Sequence, residues 1–368
     1  MGNRKKILFI APSPIYLEKG SSLRMFEVAK TLSKKYFVDI VTYSIGEKFK
    51  IKNTKIWRTP SFFKPDIPVG KPSISKILLD LFLLKKCINL ITKNKYDIIH
   101  CEDFEGAAIG YSLSLFNKKY KLVYDLHNKL TDNLKIVNKS YLNFLIAPME
   151  RLITKKFDLV ILNWNKYFND PLFNHKSRFL YYDKINLALK KYPSFKFKYI
   201  IYTGNFENYQ GIKEFLNIFK DLKSQIKLVL VGKPTNEIKN FIASNSLLRD
   251  RVILTGRLPI SQTNFLIKNS LFGILPRIEG SSMKLIHYIM FNKSVLARKT
   301  NSNRELLKDG FNSLLYSTEE ELKQKLMFLI KNSLIMKKGV NKTKNYILKI
   351  WEEENFLRNY EKSSNNNR

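Results

Sequence analysis

The sequence predicts an α/β protein made of two doubly wound parallel sheets that follow one another along the chain. The 368 residues exceed what a single core usually organises, so the length favours two domains. Short, fully apolar runs alternate with stretches of helical spacing, which is typical of parallel strands covered by helices on both faces. The alternation stops near residue 164 and restarts near residue 198, so we expect the domain boundary in this irregular stretch.

The first half contains the elements of one such domain. Its apolar runs predict strands at residues 6–11, 36–43, 96–101, 121–126 and 157–163. Gly20 opens a helix that we expect to end near Ser33. A second helix, capped by Ser73, keeps its apolar residues at helical spacing from residue 74 to residue 91.

The second half repeats this pattern. Its apolar runs predict strands at residues 198–204, 226–232, 251–256, 271–275, 294–297 and 313–316. The tail from Thr343 to Lys362 predicts one long amphipathic helix. We therefore expect domains at residues 1–190 and 191–342, followed by a helical segment at residues 343–368.

The net charge of +34 is the largest departure from an ordinary composition. The excess is spread along the chain, which predicts attraction to a polyanion such as an anionic membrane surface, nucleic acid or a phosphorylated substrate. A composition biased toward lysine and asparagine explains most of the excess equally well. The sequence has no aromatic-basic RNA motif and no helix-turn-helix pattern, so nucleic acid is not an expected partner.

Cellular location and cofactors are constrained by a few further features. Two cysteines do not make a disulfide framework, and no cluster of cysteine and histidine predicts a metal site. The first apolar run is too short for a secretion signal, and the most apolar helical stretch is interrupted by Asp80, Lys85 and Lys86. We therefore expect a cytoplasmic protein without a metal or other cofactor, which reaches a membrane only at its surface.

Ligands of doubly wound sheets bind beyond the carboxyl ends of the strands, so loops that follow strands are the candidate sites. In the first domain Gly20 ends a long loop and lets backbone approach an anion, although the spacing is not that of a dinucleotide motif. His127 directly follows an apolar strand, where it could donate to a substrate hydroxyl or phosphate. A histidine satisfied by loop backbone is an equal alternative. The stretch HCEDFEG at residues 100–106 predicts a solvated or helix-capping acidic cluster.

Two strand-to-helix loops carry the candidates of the second domain, TGNFENYQG at residues 203–211 and RIEGSSMK at residues 277–284. The candidate anion-binding residues in them are Gly204, Gly280, Ser281 and Ser282. Lys284 follows in the first turn of a helix, where a cation is unfavourable unless an anion is bound nearby. Its position therefore predicts a bound phosphate.

Several stretches, taken in order, carry a resemblance to a known family. They are GSSLRMFEVAKTLSKKYFVDIVT, YDIIHCEDFEGAAIG, KLVYDLHN, YTGNFENYQGIKEFL, VILTGRLP, PRIEGSSMKLIHYIMFNKSVLARKTNSNRELLKDGFNSLL and YILKIWEEENFLRNYEK. Together they resemble the GT-B glycosyltransferases, specifically glycosyltransferase family 4 (group 1), over nearly the whole chain. The resemblance implies two Rossmann-like domains that face each other across a cleft. The first would be the acceptor side, the second would bind the nucleotide sugar, and the terminal helix would cross back to the first.

The resemblance also implies an activity. It is transfer of a sugar from a nucleotide-diphosphate donor to a saccharide or lipid-linked acceptor, with retention and without a metal, in surface polysaccharide or glycolipid biosynthesis. His127 would face the donor sugar or its phosphate, and Gly20 would lie near the diphosphate. Glu279 matches the first glutamate of the family's E-x7-E motif and would hold hydroxyls of the donor sugar.

The chain departs from the family pattern at three positions. His287 occupies the place of the second glutamate, which normally binds the ribose hydroxyls. Asn205 and Gln210 stand where the family usually has an arginine and a lysine on the diphosphate. Lys284, with Arg277 behind it, is the expected compensating cation. The two missing charges also leave an alternative open, a catalytically inactive GT-B module that acts as a binding or partner subunit.

The basic helix at residues 74–93 is the expected membrane-binding surface. With the net positive charge, it would hold the first domain to the anionic inner face of the cell membrane as a peripheral protein. A core-packed helix with a solvated basic face is the alternative.

Overall fold

The computed structural model describes the chain in nine stretches. They are residues 4–14, 20–46, 48–62, 74–116, 120–136, 140–174, 176–182, 184–278 and 283–365. The chain divides into two compact units. Unit 1 comprises Met1–Lys184 and Ile350–Arg368, and unit 2 comprises Ile185–Lys349. These divisions fall within about seven residues of the positions expected from sequence, residues 190 and 342.

Unit 1 is built on a parallel sheet. Its described strands are β1 Lys6–Ala11, β2 Phe37–Thr42, β3 Thr54–Arg58, β4 Ile98–Glu102, β5 Lys121–Leu126, β6 Leu159–Leu162 and β7 Ser177–Leu180. Their spatial order is β3-β2-β1-β4-β5-β6-β7, and each neighbouring pair is parallel. The central strand β1 is buried on both faces from Ile7 to Ala11, which is why it reads as a continuous apolar run.

Helices cover both faces of this sheet. They are α1 Gly20–Leu32, α2 Ile74–Lys93, α3 Asp103–Phe116, α4 Leu130–Ile136 and α5 Asn143–Thr154. Met25 and Val28 of α1 share a core with Ile7 and Phe9 of β1. Right-handed crossovers place α2, α3 and α5 on the opposite face, where α2 packs against α3 and α3 against α5.

Unit 2 repeats this arrangement on a second parallel sheet. Its described strands are β8 Tyr199–Thr203, β9 Lys227–Val231, β10 Val252–Gly256, β11 Gly273–Leu275, β12 Val295–Arg298 and β13 Ser313–Tyr316, in the spatial order β10-β9-β8-β11-β12-β13. Its described helices are α6 Ile212–Lys220, α7 Asn236–Ala243, α8 Ser246–Arg249, α9 Ile260–Asn269, α10 Met283–Met290, α11 Glu319–Lys331 and α12 Lys337–Ile350. The prediction of an α/β protein with two doubly wound parallel sheets is confirmed.

The tail does not form the single long helix expected from sequence. The chain turns after α12, where the indole Nε1 of Trp351 donates to the carbonyl oxygen of Tyr182 at 3.1 Å. A separate helix, α13 Glu353–Asn365, then begins with acidic residues, which favour a helix amino terminus. Phe356 and Tyr360 of α13 lie in the core of unit 1.

β3 and β7, the two edge strands of the unit 1 sheet, were not among the strands predicted from sequence. Edge strands have one neighbour and are only partly buried, so the apolar runs that mark the central strands are interrupted by lysine and arginine. Among the described residues, no helix has the length and apolar composition needed to cross a membrane.

Each sheet has one point where the strand order reverses direction, and these points locate the candidate sites. In unit 1 the reversal lies between β1 and β4, and in unit 2 between β8 and β11. Helices leave such neighbouring strands toward opposite faces, so a crevice opens beyond their carboxyl ends. The loops that follow these strands are the ones selected from sequence.

Candidate functional site

The site of unit 1 is a chain of buried side chains at the carboxyl ends of β4 and β5. Glu102, the last residue of β4, accepts hydrogen bonds at both of its carboxylate oxygens. Nε2 of His127 lies 2.8 Å from Oε2, and Nε2 of His100 lies 3.2 Å from Oε1. The carboxylate and His100 are fully buried, and His127 is 5% exposed. The pair Glu102–His127 is therefore held by the last residue of β4 and the first residue after β5.

The donors and acceptors of this chain can be assigned from its distances. Because both oxygens of Glu102 accept, each histidine presents an N–H at Nε2. The other nitrogen of His100, Nδ1, lies 3.2 Å from the hydroxyl of Tyr360 and accepts from it in the tautomer that carries its proton at Nε2. His100 also stacks on Phe9, with ring centroids 4.5 Å apart. The C-terminal helix α13 thus reaches His127 through a continuous run of hydrogen bonds.

A buried ion pair lies beside this chain. Nη2 and Nε of Arg24, in α1, donate to Oδ1 of Asp125 at 2.5 and 3.0 Å. A third donor, Nη1, binds the carbonyl oxygen of Tyr181. Both side chains are fully buried, so the guanidinium supplies the charge that the buried carboxylate requires.

Burial and hydrogen bonding set the protonation of these groups. Burial alone would lower the pKa of His127, but the hydrogen bond to Glu102, with the charges of Asp103 and Glu102, raises it to about 9. Burial would raise the pKa of Glu102, but hydrogen bonds from His100 and His127 hold it below its usual range. The structure therefore favours a protonated His127 paired with an ionised Glu102 near neutral pH.

His100, Glu102 and Asp125 are also the type of side chains that hold a metal. One ligand atom from each lies within 4.8 Å of the others. In this cluster, however, Arg24 already occupies one oxygen of Asp125, and the imidazoles occupy both oxygens of Glu102. Oδ2 of Asp125 has no hydrogen-bond partner. Burial raises the pKa of Asp125, although Arg24 opposes this.

The site of unit 2 centres on Lys284, in the first turn of α10. Its Nζ donates to the hydroxyl of Tyr202 at 2.8 Å and to Oε1 of Gln210 at 2.7 Å. It also lies 4.3 Å from the centroid of the Tyr202 ring. Burial lowers the pKa of Lys284 well below its usual range, and the charge of Arg277 adds to this. An anion bound here would favour the charged amine and raise this pKa again.

The backbone at Gly204 is shaped around this lysine. Gly204 has a φ of +134°, a conformation that side chains rarely adopt. A Cβ at this position would lie 2.2 Å from Cε and 2.5 Å from Nζ of Lys284. Gly211, at a φ of +65°, would in the same way place a Cβ 2.4 Å from the carbonyl oxygen of Pro276. The two glycines thus bring the loop after β8 against the loop after β11.

Arg277 and Asn205 lie around Tyr209 in the same crevice. The guanidinium of Arg277 is 4.9 Å from the centroid of the Tyr209 ring, and Nδ2 of Asn205 donates to the Tyr209 hydroxyl at 3.0 Å. The hydroxyl of Tyr202 donates to the carbonyl oxygen of Asn205. The structure thus brings together five of the predicted donor-binding residues, namely Gly204, Asn205, Gln210, Arg277 and Lys284.

His287 lies one turn after Lys284 in α10 and is partly buried. Burial lowers the pKa of His287 to about 4, so this imidazole is neutral near neutral pH. A neutral imidazole can donate one hydrogen bond and accept one, whereas the glutamate that the family pattern has at this position only accepts.

Some predicted residues cannot be placed in this geometry. Gly20 is the first residue of α1. Glu279, Gly280, Ser281 and Ser282 lie outside the described residues, so their predicted roles stay predictions.

The expectation for residues 100–106 was wrong in part. His100 and Glu102 are fully buried, whereas Asp103 and Glu105 lie in the first turn of α3 as an acidic helix start. Sequence reasoning also missed Arg24, because it lies inside a helix 101 residues from its partner Asp125. The available signal was an arginine between the apolar residues Leu23 and Met25 of a predicted helix.

Comparisons with known proteins agree with this architecture. Residues 186–347 match the family model described as glycosyl transferases group 1. The uncharacterized glycosyltransferase MJ1178 of Methanocaldococcus jannaschii is 25% identical over 334 residues, which cover 86% of this chain and 86% of that protein. Among solved structures, sucrose-phosphate synthase from Thermosynechococcus elongatus has a TM-score of 0.79 at 14% identity and covers 98% of this chain and 99% of that one.

A second solved structure, HepE of Anabaena in complex with UDP-glucose, has a TM-score of 0.69 at 17% identity and covers 98% of this chain and 99% of that one. The two structural likenesses concern the fold alone, and they confirm the expectation of two Rossmann-like domains of the GT-B fold.

Proposed function

We propose that the chain is a group 1 glycosyl transferase, as the match of residues 186–347 supports, and that it moves a sugar from a nucleotide-diphosphate donor to a saccharide or lipid-linked acceptor. The observation that carries this proposal is the cationic crevice of unit 2. It lies at the switch point of the sheet and combines Lys284 and Arg277 with the hydroxyls of Tyr202 and Tyr209. HepE, whose fold is similar, binds UDP-glucose.

The crevice suits the leaving group of such a transfer. A departing nucleoside diphosphate gains negative charge, and cations fixed in a partly buried site stabilise it more than they would in water. Lys284 and Arg277 supply these cations, although Asn205 and Gln210 replace the charged residues of the family pattern. Gln210 instead positions the amine of Lys284 through its Oε1. Gly280, Ser281 and Ser282 would complete the diphosphate contacts, and Glu279 would bind hydroxyls of the sugar.

His127 is the residue that we assign to the transferred sugar or its phosphate. As a protonated imidazole held by Glu102, it donates hydrogen bonds and cannot remove a proton from an acceptor hydroxyl. This state supports transfer with retention, in which an oxygen of the leaving phosphate can take that proton. Gly20 would provide backbone contacts to the diphosphate, and His287 would contact the ribose.

We propose that no metal takes part. In unit 1 three of the four carboxylate oxygens of Glu102 and Asp125 already accept from Arg24 or from the two histidines. In unit 2 the described cations, Lys284 and Arg277, supply the charge that a metal would otherwise bring to a diphosphate. Metal analysis of the purified protein, together with donor turnover in the presence and absence of a chelator, tests this.

The acceptor is proposed to belong to surface polysaccharide or glycolipid synthesis at the inner face of the membrane. The helix expected to meet the membrane, α2, exposes apolar side chains in its first two turns, and these are Ile74, Ile77, Leu78 and Leu81. Lysines follow toward its end at residues 85, 86 and 93. This combination supports peripheral attachment of unit 1 to an anionic surface.

A thermal-shift panel of nucleotide-diphosphate sugars tests the transferase proposal. A true donor present at about 100 times its dissociation constant stabilises the folded protein by roughly 2.7 kcal/mol. We expect one donor class to raise the melting temperature and to be consumed when candidate acceptors are added. If no nucleotide sugar stabilises the protein and none is consumed, the proposal fails.

A further inference from the structure

One side of α5 and of the turn before it is apolar and exposed. Its large side chains are Tyr141, Phe144, Leu145, Met149 and Leu152. Between 49% and 71% of each is exposed, although side chains of this kind are normally buried in a helix of this size. Their spacing of three and four residues places them on one side of the helix, which we call the α5 face.

The opposite side of α5 anchors the helix next to the candidate site of unit 1. Glu150 is buried there and accepts from the backbone N–H of Leu130 at 2.5 Å and from the hydroxyl of Thr131 at 2.8 Å. Leu130 and Thr131 begin α4, three residues after His127. Whatever covers the α5 face is therefore held near the strand end that carries His127.

The exposed charges along residues 140–156 are of one sign. Arg151 lies in the last turn of α5, Lys155 and Lys156 directly follow the helix, and all three are exposed. Within the described residues 140–156 the one carboxylate is Glu150, which is buried. An occupant of this face must therefore be apolar in its interior and anionic where it meets the cations.

We propose that the α5 face docks onto an anionic lipid bilayer. The five apolar side chains would enter the boundary between headgroups and acyl chains, and the three cations would contact anionic headgroups. A polyanion such as nucleic acid would use the cations and leave the apolar side chains in water. The inference rests on the proposed function, because a lipid-linked acceptor would then reach the enzyme from the surface on which α5 lies.

The helix α2 extends the same surface. It lies in the same helical layer as α5, with α3 between them, and its exposed apolar residues are in its first half. α2 leads into β4 and α5 leads into β6, and all strands of this sheet are parallel. Each helix therefore ends near the amino ends of the strands and begins near their carboxyl ends. The apolar part of α2 and the start of α5 are thus on the side of unit 1 that carries Glu102 and His127.

A vesicle-binding experiment on the full chain tests the docking surface. Wild type and the double variant Phe144→Ser/Leu145→Ser are sedimented with vesicles of phosphatidylcholine alone or of an equal mixture of phosphatidylcholine and phosphatidylglycerol. We expect wild type to prefer the anionic vesicles, and the variant to bind them roughly tenfold or more weakly, since two side chains no longer leave water. High salt should weaken the binding of both proteins.

The matched control is Leu247→Ser/Phe328→Ser, which removes exposed apolar side chains from unit 2. It should bind like wild type. Equal binding of wild type to both kinds of vesicle, or equal losses in the two double variants, would overturn the inference. The thermal shift by the nucleotide-sugar donor is measured on the same preparations. It should be unchanged in the α5 variant, and its absence in wild type would refute the transferase proposal without bearing on the vesicle result.

Discussion

Replacing Glu102 with glutamine tests how unit 1 holds His127. Glu102→Gln keeps the shape of the side chain and an oxygen that can accept from Nε2 of His127, but it removes the charge. Without that charge, burial of His127 is less strongly opposed, so its pKa should fall from about 9 toward or below the ordinary value of 6.5. The protonated state of this histidine should then no longer stabilise the fold.

The size and pH dependence of the effect follow from the raised pKa. A folded-state pKa of about 9 against an ordinary 6.5 corresponds to about 3 kcal/mol of stabilisation at low pH. Because the folded-state pKa of His127 is raised, this stabilisation is complete below the ordinary value and is lost as the pH rises through about 9. The difference in unfolding free energy between wild type and Glu102→Gln should therefore shrink by about 3 kcal/mol between about pH 6 and about pH 10.

The assay is urea unfolding followed by tryptophan fluorescence. All three tryptophans, Trp57, Trp164 and Trp351, lie in unit 1, so the signal reports the unit that contains the mutation. The control is Glu105→Gln, which removes a partly exposed ion pair with Lys76 from the neighbouring helix. It should cost less than about 1 kcal/mol at either pH. A Glu102→Gln effect of equal size at both pH values would refute this account of His127.

Two further substitutions test the hydrogen-bond chain and the lysine crevice. Tyr360→Phe removes the hydroxyl that donates to His100. The pH dependence of sugar transfer should then shift, while the Michaelis constant for the donor stays the same. An unchanged pH profile would show that α13 does not influence the site. Gly204→Ala introduces a Cβ against Lys284 at a φ of +134°, which should destabilise unit 2 by about 1 to 3 kcal/mol and weaken donor binding. Gly310→Ala, at a φ of +75° with no atom within 4 Å of the added Cβ, is its control and should leave donor binding unchanged.

The strands with nearly continuous apolar runs were predictable. β5 and β13 match the expected residues 121–126 and 313–316 residue for residue, although β13 is an edge strand in which Leu314 is only partly buried. The edge strands β3 and β7 were missed, since water-facing residues interrupt their apolar runs. The tail broke into two helices because Trp351 is fixed by a partner 169 residues away.

Only those site residues whose position follows from one strand end or one helix start could be predicted from the sequence. His127 and Lys284 were identified because each lies immediately beyond a strand or at a helix start. Glu102 was not, because β4 was expected to end at residue 101 and Glu102 was therefore counted with the acidic helix start. In the structure β4 includes Glu102, so this carboxylate lies in the buried sheet. Its pairing with His127, like the pairing of Lys284 with Gln210, depends on contacts that no local pattern contains.

Calorimetric titration of a nucleoside diphosphate tests most directly the claim that the unit 2 crevice binds the donor's diphosphate. Lys284→Met should weaken binding roughly tenfold or more, since it removes a charge-assisted hydrogen bond. Lys293→Met, at another partly buried lysine of unit 2, should bind like wild type. Because burial lowers the pKa of Lys284, wild type should also take up protons on binding, seen as a binding heat that changes with the buffer. Equal affinities of wild type and Lys284→Met, with no proton uptake, would contradict the account.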